Sequence, residues 1–239
     1  MKRLLLYFTF SPLLILLACS SPPPTLPPQE IITRAAERMK TATGFHFVID
    51  RQGAPAFLDP AQTLSFRRTE GDYAAPDRAQ ASVRVIAPGI VAEIQAIAIG
   101  DLYWETHFLT GEWQEVPANL AFNPAILFDP QTGLQPILQT DLTNLTLTGV
   151  VELEDLPGQS LYHLTGMLDT AHLYELSYTL IGPGQVQTEV WIAPNTFDLY
   201  RILLTEPPTS NGGETTIWQV DFWNVGEVVE IIPPKIVNP

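Results

Sequence analysis

With 239 residues, 46% of them hydrophobic and only 16% charged, the chain can build one sizeable core and is not a globally disordered polymer. The 26 acidic residues outweigh 12 basic ones, and the resulting net charge of −14 repels phosphate backbones, so nucleic acid is excluded as an expected partner. A single cysteine excludes a disulfide framework or a multi-cysteine zinc site, and 22 prolines with scarce lysine point to short elements and turns.

Lys2 and Arg3 precede a mostly apolar run, Leu4 to Ala18. That run is shorter than the ~20 residues a comfortable membrane span needs, and it fits the apolar core of an export signal. It ends Leu16-Leu17-Ala18-Cys19, which resembles the bacterial lipobox. The resemblance implies diacylglyceryl attachment to the Cys19 sulfur, removal of residues 1–18, and a protein anchored on the extracytoplasmic face of the cell membrane. An ordinary signal peptide with a chance cysteine, or an uncleaved anchor, is the competing reading. Cleavage would remove Lys2 and Arg3 and leave 10 basic against 26 acidic residues. Attachment would then rest on acyl chains rather than on charge, and two or more chains are needed for stable anchoring. Residues 19–29 form the expected lipidated linker. Its stretch 20–28 holds five prolines in nine positions, which suits a polyproline II spacer of roughly 28 Å or a disordered linker.

The folded body begins with a helix over Gln29–Thr43, because Ile31/Ile32, Ala35/Ala36 and Met39 recur with helical period and Gly44 suits a helix end. From Phe45 the period becomes two, and Phe45, Phe47 and Ile49 mark a strand. Further strands are expected at Thr63–Thr69, Ala81–Ala87, a hairpin over Ile90–Glu105 turning at Gly100-Asp101, and Trp113–Val116. Asp72 and Asp77 read as turn residues. Residues 120–139 differ: they are rich in Leu, Ile, Phe and Pro, and suit one or two helical turns at Pro124–Phe128 and a short helix around Leu134, Ile137 and Leu138. Strand pattern returns at Asn144–Glu154 and Leu161–Met167, joined at Pro157-Gly158. A helical turn follows at Asp169–Tyr174, then strands at Ser177–Ile181, Val186–Ala193, Leu199–Thr205 and Thr216–Trp223. The tail is again rich in proline.

About ten strands in sequence-adjacent order with a few short helices predict one α+β domain over residues 30–234, with 235–239 as a tail. Its centre is a large curled antiparallel sheet, a half-barrel, whose concave face needs covering. The helix at 29–43 and the apolar segment 120–139 are the natural covers.

Several stretches together resemble the LppX/LprA/LprF/LprG family of bacterial, mycobacterial-type lipoproteins. They are Thr69-Glu-Gly-Asp-Tyr-Ala-Ala-Pro-Asp77, Asn123-Pro-Ala-Ile-Leu-Phe-Asp-Pro-Gln-Thr-Gly-Leu134, Leu161-Tyr-His-Leu-Thr-Gly166, Val190-Trp-Ile-Ala-Pro-Asn195 with Leu199-Tyr-Arg201, and Phe222-Trp-Asn224. They follow family order along nearly the whole exported chain. The resemblance implies a half-barrel enclosing a large apolar cavity for acylated lipids or glycolipids, which the protein would carry or present in the cell envelope, and it offers no catalytic motif. It also implies that a lipid transporter of the envelope could be a partner. The acidic, Lys-poor body is a departure that argues against an anionic headgroup.

Read from the residues themselves, a carrier of acyl chains needs a dry cavity lined by aliphatic and aromatic groups, since each buried methylene gains ~0.8 kcal/mol on leaving water. The candidate lining is Phe122, Ile126, Leu127, Phe128, Leu134, Ile137 and Leu138 from the covering segment, with Val91 and Ile97 from the sheet. Trp104, Trp113, Trp191, Trp218 and Trp223 are strand tryptophans that either pack or rim a mouth. The four histidines are scattered outside any metal or nucleophile motif, and Glu152, Glu154 and Asp155 read as a solvated face. The expectation is therefore a monomeric, non-enzymatic lipid-binding lipoprotein without a cofactor or metal. The alternative is an envelope scaffold or interaction lipoprotein with a solid core, and an envelope hydrolase ranks last.

Overall fold

A computed structural model describes residues 26–117, 123–208 and 213–236. Helix α1 (Pro28–Lys40) buries the apolar stripe Ile31, Ile32, Ala35, Ala36 and Met39. Proline in the first turn gives up an N–H that a helix start leaves unpaired, and Glu30 at the start with Arg38 and Lys40 at the end complement the helix dipole. The helix stops at Lys40, with Thr41 as cap, earlier than the periodicity predicts. Gly44 is not its terminator. It opens the first strand, where an added Cβ would lie 2.7 Å from the Glu227 carbonyl oxygen.

Among the described residues twelve strands follow: β1 (Gly44–Gln52), β2 (Ala56–Phe57), β3 (Ser65–Ala74), β4 (Arg78–Ala87), β5 (Ile90–Ile99), β6 (Leu102–Thr106), β7 (Trp113–Glu115), β8 (Leu142–Leu153), β9 (Leu156–Asp169), β10 (Gln185–Ile192), β11 (Leu199–Glu206) and β12 (Thr216–Trp223). They form one antiparallel sheet in the order β7-β6-β5-β4-β3-β1-β12-β11-β10-β9-β8, with β2 beside β3. The sheet is open and curled, as expected for a half-barrel. It consists of two meanders, and β12 joins them by pairing with β1 through seven residue pairs from His46↔Trp223 to Gln52↔Ile217. The predicted hairpin at Gly100-Asp101 is present, with Gly100 at φ 56° as a II′ turn requires.

The chain leaves the sheet at edge strand β7 and re-enters at the opposite edge, β8. The connecting segment carries a 3-10 turn (Pro124–Phe128) and helix α2 (Leu134–Thr140), and its buried side chains lie against the concave face. The ring of Phe128 packs 4.9 Å from Phe45, 4.7 Å from Phe47, 5.5 Å from Tyr73 and 6.1 Å from Phe222. A third helix, α3 (Ala171–Leu176), sits between β9 and β10.

Three local readings are corrected. Asp72 is not in a turn but in β3, opposite His46, and the turn falls at residues 75–77. The β8–β9 hairpin turns at Glu154-Asp155, since Leu153 pairs with Leu156; residues 157–159 instead bulge out of β9, with the Gly158 N–H donating to the Glu152 carboxylate at 3.2 Å. Ser177–Ile181 is not a strand. Tyr178 and Thr179 have positive φ (52° and 66°), and the Ser177 hydroxyl accepts the Ile181 N–H at 3.1 Å, so the stretch curls back after α3.

Tyr73, on the concave face and buried, donates its hydroxyl to the Pro76 carbonyl at 2.8 Å. Burial, with the nearby charges of Asp129 and Asp77, pushes its pKa up to about 12. The folded state therefore holds this proton more tightly than the unfolded chain, whose tyrosine titrates near ~10. Its contribution to stability is intact below pH ~10 and is lost as pH rises through about 12. Urea midpoints measured across that window should fall, and Tyr73→Phe should flatten the fall; an identical slope in the variant would refute the assignment.

Candidate functional site

Strand pleat places Ile49 of β1, Phe66 and Thr69 of β3, Ile202 and Leu204 of β11, and Trp218 and Val220 of β12 on the concave face. Opposite them lie Leu127 and Phe128 of the 3-10 turn, Leu134 of α2, Leu173 and Leu176 of α3, and Ser177, Leu180 and Ile181 of the loop after it. These residues line a cavity of about 70 Å³. Only Thr69 and Ser177 among them bear hydroxyls, and both are engaged: Thr69 donates to the Ser82 carbonyl at 3.2 Å and Ser177 to the Tyr174 carbonyl at 3.3 Å. The interior surface is therefore apolar and has no idle hydroxyl to hold water.

A smaller void of about 10 Å³ lies toward α1, bordered by Ala36, Met39, Gln135, Leu138, Leu199 and Phe222. Phe128 and Leu134 border both spaces, so these two side chains form the partition between them. Gln135 is buried there; its Nε2 donates to the Phe128 carbonyl at 3.3 Å, while its Oε1 has no partner.

The predicted lining is only partly brought together. Leu127, Phe128 and Leu134 line the main cavity, and Leu138 lines the smaller void. Ile137 is 3% exposed and belongs to the packed core. Ile126, at 37% exposed, points away. Val91 and Ile97 are corrected: the inward residues of β5 are Ala92, Ile94, Ala96 and Ala98, set by pairing with Val85, Val83, Ala81 and Ala79, so Val91 and Ile97 face outward. Cys19 and Phe122 lie outside the described residues. Leu173, Leu176, Leu180 and Ile181 also line the cavity and are absent from the expected lining: 177–181 has the pattern of a strand, and for Leu173 and Leu176 the Leu173/Leu176/Leu180 spacing is the helical signal that marks an inward face.

Of the tryptophans, Trp218 lines the cavity. Trp191 stacks on His163 at 4.5 Å, and Trp223 packs against His46 at 4.4 Å. His46 bonds Asp72 at 2.8 Å and His163 bonds Glu189 at 2.7 Å, both on the convex side. His172 is exposed, and its hydrogen bond to Asp141 draws its pKa upward. None of these histidines borders the cavity. Glu152 and Glu154 are solvated as expected, whereas Asp155 pairs with Arg201, which holds its carboxyl below the ordinary range and also binds Asp221. Among the described residues there is no group of three or more His, Cys, Asp or Glu that could hold a metal, and no helix is long and apolar enough to cross a membrane.

The sequence model of the LppX_LprAFG lipoprotein family matches residues 27–231. No curated protein matches the chain in sequence. Among solved structures, LprF from Mycobacterium bovis superposes with a TM-score of 0.62 at 18% identity, covering 91% of this chain and 99% of LprF. Lipoprotein LppX from Mycobacterium tuberculosis gives 0.57 at 17% identity, covering 85% of this chain and 97% of LppX. At such identities the likeness establishes the shared fold.

The Ser177 hydroxyl is the anchor of the cavity's loop wall. Ser177→Ala would leave the buried Ile181 N–H unpaired and should lower stability by about 1–3 kcal/mol in urea unfolding. A change within error would show that the loop does not need this bond.

Proposed function

The chain belongs to the LppX_LprAFG lipoprotein family, and we propose that it binds acylated lipids or glycolipids beneath its concave sheet face and carries or presents them in the cell envelope. The observation that carries this reading is the apolar cavity between the sheet and the covering segments, where aliphatic and aromatic side chains meet with no unengaged hydroxyl. Acyl chains are held by such surfaces through exclusion of water alone; a chain of about sixteen methylenes gains roughly 13 kcal/mol gross at ~0.8 kcal/mol each.

The cavity volume of about 70 Å³ is well below the ~300–1,000 Å³ of ligand pockets, so the expected large cavity is not open in this conformation. Acyl entry then requires the covers to part. The segments concerned are a five-residue 3-10 turn, a seven-residue α2 and a six-residue α3, short elements of the kind that open at low cost. Displacing Phe128 and Leu134 would merge the two voids into one apolar channel running from α1 to α3. Anchoring through acylated Cys19 would hold this body at the membrane that supplies the lipid. The reading is non-catalytic: binding and release require no proton transfer, and the histidines lie away from the cavity.

The small free volume favours a second reading, an envelope scaffold whose interior is filled by its own side chains. Native mass spectrometry with solvent extraction on residues 20–239 separates the two. The carrier reading expects acyl lipid to co-purify or to be taken up from offered diacyl and triacyl lipids, and Ile202→Trp, which fills the cavity from β11, should reduce uptake several-fold. A lipid-free mass with no uptake would establish the scaffold. Independently, Cys19→Ala in the full chain should abolish labelling by radiolabelled palmitate; undiminished labelling would refute the anchor.

A further inference from the structure

One charged side chain is placed against the ordinary rules. Arg51 lies on the concave face near the end of β1, directly opposite Trp218 of β12, and is only 6% exposed. Its guanidinium carbon sits 5.1 Å above the Trp218 ring, and its Nε has no hydrogen-bond partner. A buried guanidinium with an unpaired N–H is costly unless something else pairs with it. The carboxylate that acts on it most strongly, Glu206, is already engaged: Oε1 accepts from Trp218 Nε1 at 2.6 Å, and Oε2 accepts from the Gly182 N–H at 3.1 Å. Burial accordingly pulls the Arg51 pKa below the usual guanidinium range, with Glu206 opposing it.

Arg51 lines a second, more polar pocket of about 300 Å³, with Phe57, Thr179, Leu180, Glu206 and Thr216. Leu180 borders this pocket and the apolar cavity alike. Trp218 turns one part of its ring system to the apolar cavity and lies under the Arg51 guanidinium. The two spaces are therefore neighbours across one leucine and one tryptophan. A molecule with apolar tails in the first would place its head in the second.

We infer that the pocket at Arg51 is a headgroup site that pairs this guanidinium with the phosphate of an acidic phospholipid. The inference rests on the lipid-binding reading above and specifies the head, which the acidic composition of the chain argues against. The composition describes the average surface; here a single guanidinium, only 6% exposed and backed by an aromatic face, offers a charge-assisted donor at one point of the pocket wall. Glu206 and Glu214 also line the pocket, so a bare anion meets repulsion there. A phosphodiester that also carries hydroxyl donors satisfies the guanidinium and the carboxylates together.

The test compares uptake of phosphatidylglycerol and of diacylglycerol, matched in acyl chains, by residues 20–239 in native mass spectrometry. The wild type should prefer phosphatidylglycerol by about tenfold or more, the value of one charge-assisted bond, and Arg51→Met should lose that preference while keeping diacylglycerol uptake. Equal uptake of the two lipids by the wild type overturns the headgroup site whether or not the variant folds, and leaves the carrier reading standing. Uptake of neither lipid overturns the carrier reading itself. Inorganic phosphate added in excess should leave phosphatidylglycerol bound; displacement by it would assign Arg51 to free anions and overturn the lipid assignment.

Discussion

The whole arrangement depends on the burial of one concave sheet face by the chain segment that joins the two edges of the sheet. Two meanders meet at the β1–β12 pairing, so the first ends at one edge of the sheet and the second begins at the other. The described part of the segment between them, from Asn123 to α2, packs on the curled interior. Its sequence is suited to that passage: it is apolar, and Asn123 accepts the Ala125 N–H to start the 3-10 turn. Phe128 inserts among Phe45, Phe47, Tyr73 and Phe222 and ties the crossing to the three strands β1, β3 and β12 and, through the partition it shares with Leu134, to α2.

From that crossing the functional geometry follows. The cover is made of short pieces rather than one long helix, and short pieces leave seams. One seam is the cavity under Leu127, Leu134 and the loop after α3; the other is the small void beside α1. Toward the ends of β1, β11 and β12 the lining changes from aliphatic to polar over one or two residues, from Ile49 to Arg51 and from Leu204 to Glu206, because residues two apart share a face. An interior that is dry in the middle and charged at one end is the polarity pattern of a molecule with a greasy body and a polar head.

Much of this was legible in the residues. Alternation identified β12 to its ends, the β5–β6 hairpin, and the strand marked by Phe45, Phe47 and Ile49. Helical spacing identified α1 and α2. Within the site, Leu127, Phe128 and Leu134, which border the cavity, come from a run of apolar residues without strand period, and such a run has to cover something. β5 was misread: Ile90, Val91, Ile94, Ile97 and Ile99 put large apolar groups on both faces, so size pointed to Val91 and Ile97, whereas the inward positions hold mostly alanine. The loop Ser177–Ile181 was misread because β-branched and aromatic residues suit a strand, and nothing local reveals that a serine hydroxyl will cap the Ile181 N–H instead.

Sequence alone determined the antiparallel fold class, the order of its elements, the apolar character of the crossing segment and the family of the chain, because periodicity, turn residues and motif order are properties of neighbouring residues. Only the tertiary structure decided which face of β5 looks inward, how little free space the covers leave, and that Arg51 comes to lie buried over Trp218 beside Leu180. Those outcomes depend on pairings between residues as far apart as β1 and β12, whose register is set by the packing of the whole sheet.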